Sequence, residues 1–194
     1  TILDQDIILY HGDPYIIEQL GEVKYKIGPK SFFQTNTSQA NVLFETVVEF
    51  AELKGGENVY DLYTGLGSIA LYVSQSASHV TGIEEVEAAI TDAKENARFN
   101  EIENTTFYAG DVKDILTPDF SDKHGKPDLV ITDPPRVGMH KDVVQQILNI
   151  APEKVVYVSC NSATQARDLA LMDKHYKVTK VQAIDMFPQT FHVE

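Results

Sequence analysis

The strongest constraint on the fold is the regular alternation of strand and helix patterns from residue 58 onward. Short apolar runs rich in β-branched residues alternate with segments whose apolar residues recur at helical spacing. Strands are predicted at 58–63, 79–83, 105–108, 128–132, 154–159 and 178–186, and helices at 68–76, 86–99, 141–150 and 164–174. This alternation requires crossover connections, so it predicts an α/β fold with a mostly parallel sheet and helices on both faces.

The first third of the chain has a different pattern. Residues 15–27 predict two short strands around Gly21 and Glu22, which would form a β-hairpin appended to a larger unit. A helix is predicted from Asn36 or Thr37, both good N-caps, until the glycines at 55 and 56. We therefore divide the chain into a hairpin extension at 1–30 and a main domain at 31–194, with 118–127 as its most mobile loop.

Composition narrows the function classes. The net charge of −13 argues against nucleic acid as a partner, because Lys and Arg supply phosphate binding. The objection weakens if the main RNA-binding module lies outside this sequence, or if Lys24, Lys26 and Lys30 cluster at the mouth of a binding site. No apolar run of about 18 residues occurs and residues 1–6 lack the pattern of a secretory leader, so we expect a cytoplasmic protein without a membrane partner.

A glycine turn follows the strand at 58–63 and opens the next helix. Within Asp61-Leu62-Tyr63-Thr64-Gly65-Leu66-Gly67-Ser68, the glycines allow a tight turn and close approach of a ligand. Glu84 ends the next strand, where a carboxylate can accept hydrogen bonds from both hydroxyls of a ribose. The alternative is a plain strand-to-helix turn with a solvated acid.

The type of nucleotide is indicated by two departures from a dinucleotide fingerprint. Position 70 is Ala, so the G-x-G-x-x-G spacing is incomplete. An acid at Asp61 suits a cationic sulfonium or ammonium group better than a pyrophosphate. S-adenosylmethionine is therefore the favoured cofactor, and Asp111, after the third strand, is placed to bind an adenine amino group or to cap a helix.

Reactive groups follow the next two strands of the predicted sheet. Asp133-Pro134-Pro135-Arg136 ends the buried run at 128–132, and its prolines fix a backbone that could grip a planar base or serve only as a rigid turn. Cys160 is the single cysteine and stands in Ser159-Cys160-Asn161, just before a predicted helix. We expect the helix dipole to favour its thiolate, which makes it a candidate nucleophile, although a buried structural cysteine is an equal alternative.

Five motifs, in this order, resemble those of the RNA uracil-5-methyltransferases. They are Ser31-Phe32-Phe33-Gln34-Thr35-Asn36, Asp61-Leu62-Tyr63-Thr64-Gly65, Asp133-Pro134-Pro135-Arg136, Ser159-Cys160-Asn161 and Phe187-Pro188-Gln189-Thr190-Phe191-His192-Val193-Glu194. The resemblance covers residues 15–194. It departs from the family pattern at Ser68, where bacterial members commonly have Asn, and at Ser162, where Pro often follows the Ser-Cys-Asn triplet.

The resemblance implies a Rossmann-like class I S-adenosylmethionine-dependent methyltransferase that methylates carbon 5 of a uridine in RNA through a covalent cysteine adduct. It implies that Cys160 is the nucleophile, Glu194 the general base and Asp133 a group that holds the uracil edge. It also implies contacts to the cofactor or the base from Gln34, Tyr63, Ser68, Glu84, Asp111 and Asp133, beside the turn residues Asp61, Gly65 and Gly67. No metal ligands are expected.

Family members usually begin with an RNA-binding β-barrel, and their chains continue after the His-Val-Glu triplet. We therefore expect this sequence to be the catalytic part of a longer, monomeric protein. For its RNA partner we prefer ribosomal RNA, 23S rRNA first, over transfer RNA.

Three other interpretations stay open. An amino-group nucleic-acid methyltransferase carries a related motif at the same strand exit, but with an aromatic residue where this chain has Arg136. A cytosine-5 RNA enzyme would add a nucleophilic cysteine near Asp133, where the sequence has none. A catalytically silent cofactor-binding module would keep Gly65, Gly67 and Glu84 without needing Cys160 or Glu194.

Overall fold

A five-stranded parallel sheet forms the centre of the molecule, which a computed structural model describes over residues 7–190 and 192–194. The strands are β1 (Ile16–Leu20), β2 (Val23–Ile27), β3 (Asn58–Leu62), β4 (His79–Glu84), β5 (Thr105–Ala109), β6 (Leu129–Thr132) and β7 (Lys154–Tyr157). The helices are α1 (Thr37–Ala51), α2 (Ser68–Val73), α3 (Glu87–Phe99), α4 (Val112–Ile115), α5 (Pro118–His124), α6 (Lys141–Ile150) and α7 (Ser162–Met172). The sheet order is β5-β4-β3-β6-β7, with every neighbouring pair parallel. The predicted α/β class is confirmed.

The sheet reverses its winding direction between β3 and β6. The chain runs outward from β3 to β4 and β5, then crosses back so that β6 pairs with the other side of β3. The two strands are in register from Val59 opposite Leu129 to Leu62 opposite Thr132, and the amide of Asp133 donates to the Leu62 carbonyl at 3.3 Å. Such a switch point opens a crevice beyond the carboxyl ends of the strands, where ligands of this fold bind.

Both faces of the sheet are buried, which explains the continuous apolar runs in the sequence. On β3, Val59 belongs to the core cluster under α1, α2 and α3, whereas Tyr60 and Leu62 belong to the cluster under α6 and α7. The same alternation on β6 sends Ile131 to the first cluster and Val130 to the second. Within the described residues no helix is long and apolar enough to cross a membrane.

The predicted N-terminal hairpin is confirmed as β1 and β2, and its apolar residues join the main core. Tyr25 is fully buried, and its hydroxyl donates to the Ser68 carbonyl at 2.8 Å. Two side-chain amides bind the free edge of β2: Asn96 in α3 binds the backbone of Lys26, and the α3 C-cap Asn100 binds that of Lys24. Because these amides satisfy backbone donors and acceptors of β2, the hairpin is held to the domain that carries the glycine turn.

The prediction of a mobile loop at 118–127 is wrong. Residues 118–124 form α5, with Pro118 in its first turn and the Thr117 hydroxyl accepting from the Phe120 amide at 3.2 Å. The Phe120 ring packs edge-on against Tyr60 at 5.8 Å and Tyr108 at 5.1 Å. The turn residues that suggested a loop are the N-cap and first-turn proline of a short helix.

The strand predicted at 178–186 is also not formed among the described residues. Val178 and Val181 are 60% and 83% exposed, and the segment pairs only where Ile184 and Glu194 exchange backbone hydrogen bonds of 2.8 and 3.0 Å. Its β-branched residues give the sequence a strand pattern, but a strand also needs a neighbour to pair its backbone groups. The one bridge nevertheless places Glu194 beside Ile184.

Candidate active site

The glycine turn after β3 has the geometry that its sequence predicts. Gly65 and Gly67 have φ angles of 57° and 83°, and the amide of Gly67 donates to the Thr64 carbonyl at 2.9 Å. A Cβ on Gly67 would lie 3.2 Å from Ala93 and from the Phe107 ring, whereas one on Gly65 would meet nothing within 4 Å. Gly67 is thus required for packing, and Gly65 faces open space where a ligand can approach the backbone.

Glu84 closes this turn from the next strand. Its Oε2 accepts from the Gly65 amide at 3.1 Å and its Oε1 from the Val86 amide at 3.0 Å. Each carboxylate oxygen keeps further lone pairs, so Glu84 can still accept from hydroxyl groups of a ligand.

Asp61 lies beneath the turn rather than on its surface. Its side chain is 1% exposed, and one carboxylate oxygen accepts from the Thr64 hydroxyl. Burial, reinforced by the nearby Glu84 carboxylate, raises the pKa of Asp61 to about 7. The sequence did not single out Thr64, although its place in the Asp61-to-Gly65 motif was the available signal.

The other residues predicted to contact the cofactor lie around the same edge. Tyr63 has a positive φ of 63°, and burial raises the pKa of its phenol to about 12, with a smaller contribution from Asp111. Asp111 caps α4 by accepting from the Lys113 amide at 3.0 Å and also pairs with the Lys113 ammonium, so its capping role is confirmed. Ser68 opens α2 directly after the turn.

Gln34 lies in the segment that leads into α1. The cap residue Asn36 donates to the Met186 carbonyl at 2.9 Å, which attaches this segment to the end of the described chain. Oε1 of Gln34 is buried and has no hydrogen-bond partner among the described residues. A buried acceptor without a donor is costly, so this oxygen is suited to a ligand donor.

Cys160, Asp133 and Glu194 come together at the exits of β6 and β7. The carboxylates of Glu194 and Asp133 both act electrostatically on the Cys160 thiol, and Asp133 is also coupled to Glu194 and Asp61. Asp133 therefore interacts both with Cys160 and with Asp61, which precedes the glycine turn. Glu194 is half-buried, and its Oε2 is buried without a hydrogen-bond partner in the described part of the chain.

The thiol of Cys160 is more strongly protonated than the sequence indicated. Cys160 does precede the N-terminus of α7, as expected, with Asn161 as the cap. Burial and the Glu194 and Asp133 carboxylates nevertheless raise its pKa, against the smaller lowering effect of Arg136. The pKa of Cys160 is thus raised, whereas the sequence led us to expect that its place before a helix would favour the thiolate.

The two carboxyl groups of the cluster also have raised pKa values. Desolvation, followed by the charges of Glu194 and Asp61, raises the pKa of Asp133 to about 7. Desolvation raises the pKa of Glu194, while Arg136 opposes it. Near neutral pH Asp133 is thus partly protonated and can donate a hydrogen bond, and Glu194 is a stronger base than an exposed carboxylate.

Sequence reasoning missed the electrostatic role of Arg136 and a buried network around Asp168 on α7. Arg136 is exposed and lowers the pKa of both Cys160 and Glu194. Asp168 is fully buried, a burial that a helical pattern of mixed polarity does not predict.

Of the three lysines suggested to cluster for RNA binding, Lys26 pairs with Glu95 at 3.0 Å. Phe191, within the last motif, lies outside the described residues.

Comparisons with known proteins relate the chain to RNA methyltransferases. The family model described as tRNA (Uracil-5-)-methyltransferase matches residues 5–194. The chain is 58% identical over 196 residues to an uncharacterized RNA methyltransferase of Porphyromonas gingivalis and 57% identical over 194 residues to one of Bacteroides thetaiotaomicron. Each match takes in the whole chain but only 42% and 43% of the relative.

Among solved structures, the chain is similar to the Pyrococcus abyssi tRNA (uracil-54, C5)-methyltransferase in complex with S-adenosyl-L-homocysteine. The TM-score is 0.83 and the identity 36%, over 94% of this chain and 43% of that one. The solved structure of M. jannaschii TYW2 in complex with AdoMet has 18% identity and a TM-score of 0.64 over 96% of this chain and 85% of that one, and it shows the shared fold alone. From its match along nearly the whole sequence, the chain belongs to the tRNA (uracil-5-)-methyltransferase family.

Proposed function

We propose that the protein transfers a methyl group from S-adenosylmethionine to carbon 5 of a uridine in RNA. The observation that carries the proposal is the cluster of Cys160, Asp133 and Glu194 at adjacent strand exits, in a chain of this family. A silent binding module would need none of these groups. We further propose a monomeric, cytoplasmic enzyme, of which this chain supplies the catalytic part.

The residues at the glycine turn fit S-adenosylmethionine. Open space beside Gly65 leaves room for a ligand, and both oxygens of Glu84 lie at the turn to accept from ribose hydroxyls. Oε1 of Gln34 supplies a buried acceptor for an N–H donor of the cofactor or the base. The Pyrococcus abyssi relative is described with the demethylated cofactor product. When bound, the cofactor supplies an electrophilic methyl group on its sulfonium.

The chain's own groups account for the remaining chemistry. Once the Cys160 thiol has given its proton to a neighbouring carboxylate, the thiolate adds to carbon 6 of the uracil, which makes carbon 5 nucleophilic enough to take the methyl group. Protonated Asp133 can donate to a uracil oxygen and stabilise the charge that develops there. Glu194 then accepts the proton from carbon 5, and the sulfur of Cys160 leaves with the electrons of its bond to carbon 6. The base must leave its stack to reach this cleft.

The experiment that tests this mechanism uses RNA containing 5-fluorouridine and the complete protein. Fluorine cannot leave carbon 5 as a proton, so the wild type should form a denaturation-resistant adduct whose mass maps to Cys160. Cys160→Ala should form none while binding the cofactor as before, because the thiol attacks the base and not the donor. An adduct at another residue, or none in the wild type, would contradict the proposal.

The role of Glu194 is tested on ordinary RNA by rapid-quench kinetics. Glu194→Gln should still attack and methylate, since removing a carboxylate beside Cys160 lowers the pKa of the thiol. Elimination should slow by about 10²- to 10⁴-fold, so that a methylated covalent complex accumulates. The experiment is run with each of two RNA classes: 23S rRNA, which we prefer, and tRNA, the class named for the Pyrococcus abyssi relative. Normal turnover without a trapped complex would assign the base to another group.

A further inference from the structure

One face of α7 binds the turn that connects β6 to α6. At the start of the helix, the Asn161 side-chain amide and the Thr164 hydroxyl donate to the Arg136 carbonyl at 3.0 and 3.2 Å. One turn further along, the Arg167 guanidinium donates to the carbonyls of Val137 at 2.9 Å and Met139 at 3.3 Å. Residues three apart on a helix share a face, so one side of α7 grips the backbone of residues 136–139.

Asp168 is the centre of this contact. Its side chain is fully buried, and its Oδ2 accepts from the Met139 amide and the Tyr157 hydroxyl, both at 2.8 Å. Its Oδ1 accepts two bonds from the Arg167 guanidinium, at 2.9 and 2.7 Å. These four donors satisfy a carboxylate that would otherwise be costly to bury. Asp168 thus joins the turn, β7 and α7 at one point.

The elements that Asp168 joins carry different parts of the reactive cluster. Asp133 and Arg136 precede or begin the turn, whereas Cys160 lies at the junction of β7 and α7. We propose that Asp168 is a positioning residue, whose hydrogen bonds hold the 136–139 turn, and with it Asp133 and Arg136, in place against Cys160. It acts through these groups and does not touch substrate, because it has no exposed surface. This inference rests on the proposed function.

The expected consequence is a loss of rate without a loss of cofactor binding. A misplacement of about 1 Å in a reacting group can lower a rate by about 10²-fold. The glycine turn follows β3 and makes none of the four hydrogen bonds to Asp168; its link to Asp168 is electrostatic, through Tyr63, whose pKa is raised by burial and Asp111 and then by Asp168. Loss of the Asp168 charge should therefore slow attack by Cys160 by roughly 10- to 100-fold and change the cofactor Kd by less than about threefold.

The test measures adduct formation with 5-fluorouridine RNA in Asp168→Asn and in the wild-type complete protein. Both the rate constant and the final amplitude are recorded, together with the cofactor Kd by calorimetry. A positioning role lowers the rate constant at full amplitude, whereas a purely structural role lowers the amplitude of active protein and leaves the rate constant unchanged. Asp173→Asn, at the exposed C-cap of the same helix, is the matched control and should behave as wild type.

A milder variant keeps the test decisive if Asp168→Asn does not fold. Tyr157→Phe leaves the carboxylate and three of its four hydrogen bonds, so it should lower the rate constant by a smaller factor at full amplitude. Wild-type rate constants in both variants, or a loss of amplitude alone, would overturn the positioning role. No adduct in the wild type would instead overturn the proposed function and the inference with it, so the two failures are distinguishable.

Discussion

Replacing Gly138 by alanine should be among the most destabilising single-methyl changes in this protein. Gly138 lies in the turn gripped by α7 and has a φ of 78°, a conformation that costs a residue with a Cβ about 1–2 kcal/mol. The new Cβ would also lie 2.6 Å from Oδ2 of Asp168, 2.6 Å from the Arg167 guanidinium and 3.0 Å from Thr164. Arg167 is half-exposed and can move, but Asp168 is held by four hydrogen bonds. Overpacking of this kind costs about 1–3 kcal/mol, which gives a total of about 2–5 kcal/mol.

Two other glycines allow the cost of the positive φ to be measured apart from the cost of overpacking. Gly55 has a φ of 93° and open space around it, so Gly55→Ala should lose only the backbone contribution. Gly56 has neither a positive φ nor a neighbour within 4 Å, so Gly56→Ala should leave stability within about 0.5 kcal/mol of wild type. Urea unfolding of the three variants measures each free energy of unfolding. If Gly138→Ala costs no more than Gly55→Ala, the turn is not packed tightly against Asp168, and the reasoning is refuted.

Two further predictions concern the cofactor side. Glu84→Ala should weaken S-adenosylmethionine binding by about 10²-fold or more, because hydrogen bonds to a charged group contribute about 1.5–3 kcal/mol each; calorimetry showing unchanged affinity would remove Glu84 from the site. Asp61 has a pKa of about 7 in the folded protein against an ordinary 3.8, so the folded state holds its proton and the contribution to stability is complete below pH 4 and lost as the pH rises through 7. The whole loss amounts to about 4 kcal/mol, of which about 3 kcal/mol falls above pH 5. The stability of Asp61→Asn relative to wild type should therefore rise by that amount between pH 5 and pH 8, and equal urea midpoint differences at both pH values would contradict the assignment.

Local patterns predicted most of the fold because local chemistry sets most of its boundaries. The start of α1 follows from the capping side chain of Asn36, and the span of α6 follows from its strong apolar periodicity. The prediction of a strand at 178–186 was wrong because strand formation depends on a pairing neighbour, which is a property of the tertiary structure. The loop predicted at 118–127 was wrong over residues 118–124 because Pro serves equally in a loop and in the first turn of a helix.

The candidate site was predicted by residue type and strand position, but its electrostatics could not be. Asp133 and Cys160 were singled out because each follows a predicted strand, and Glu194 because it ends the last motif of the family resemblance. The pKa of Cys160 depends on how many carboxylates surround it after folding, and no sequence spacing reports that number. Asp168 was missed for a related reason, since two of its donors, Met139 and Tyr157, come from outside α7.

The carboxylates around Cys160 also bear on how the protein survives oxidants. Peroxides and alkylating agents react with thiolates and hardly with thiols, so a raised pKa keeps the resting cysteine largely inert. A cationic cofactor bound nearby would lower the pKa of the Cys160 thiol and so favour the thiolate. Under the proposed mechanism, Cys160 is then exposed to damage chiefly when the methyl donor is bound.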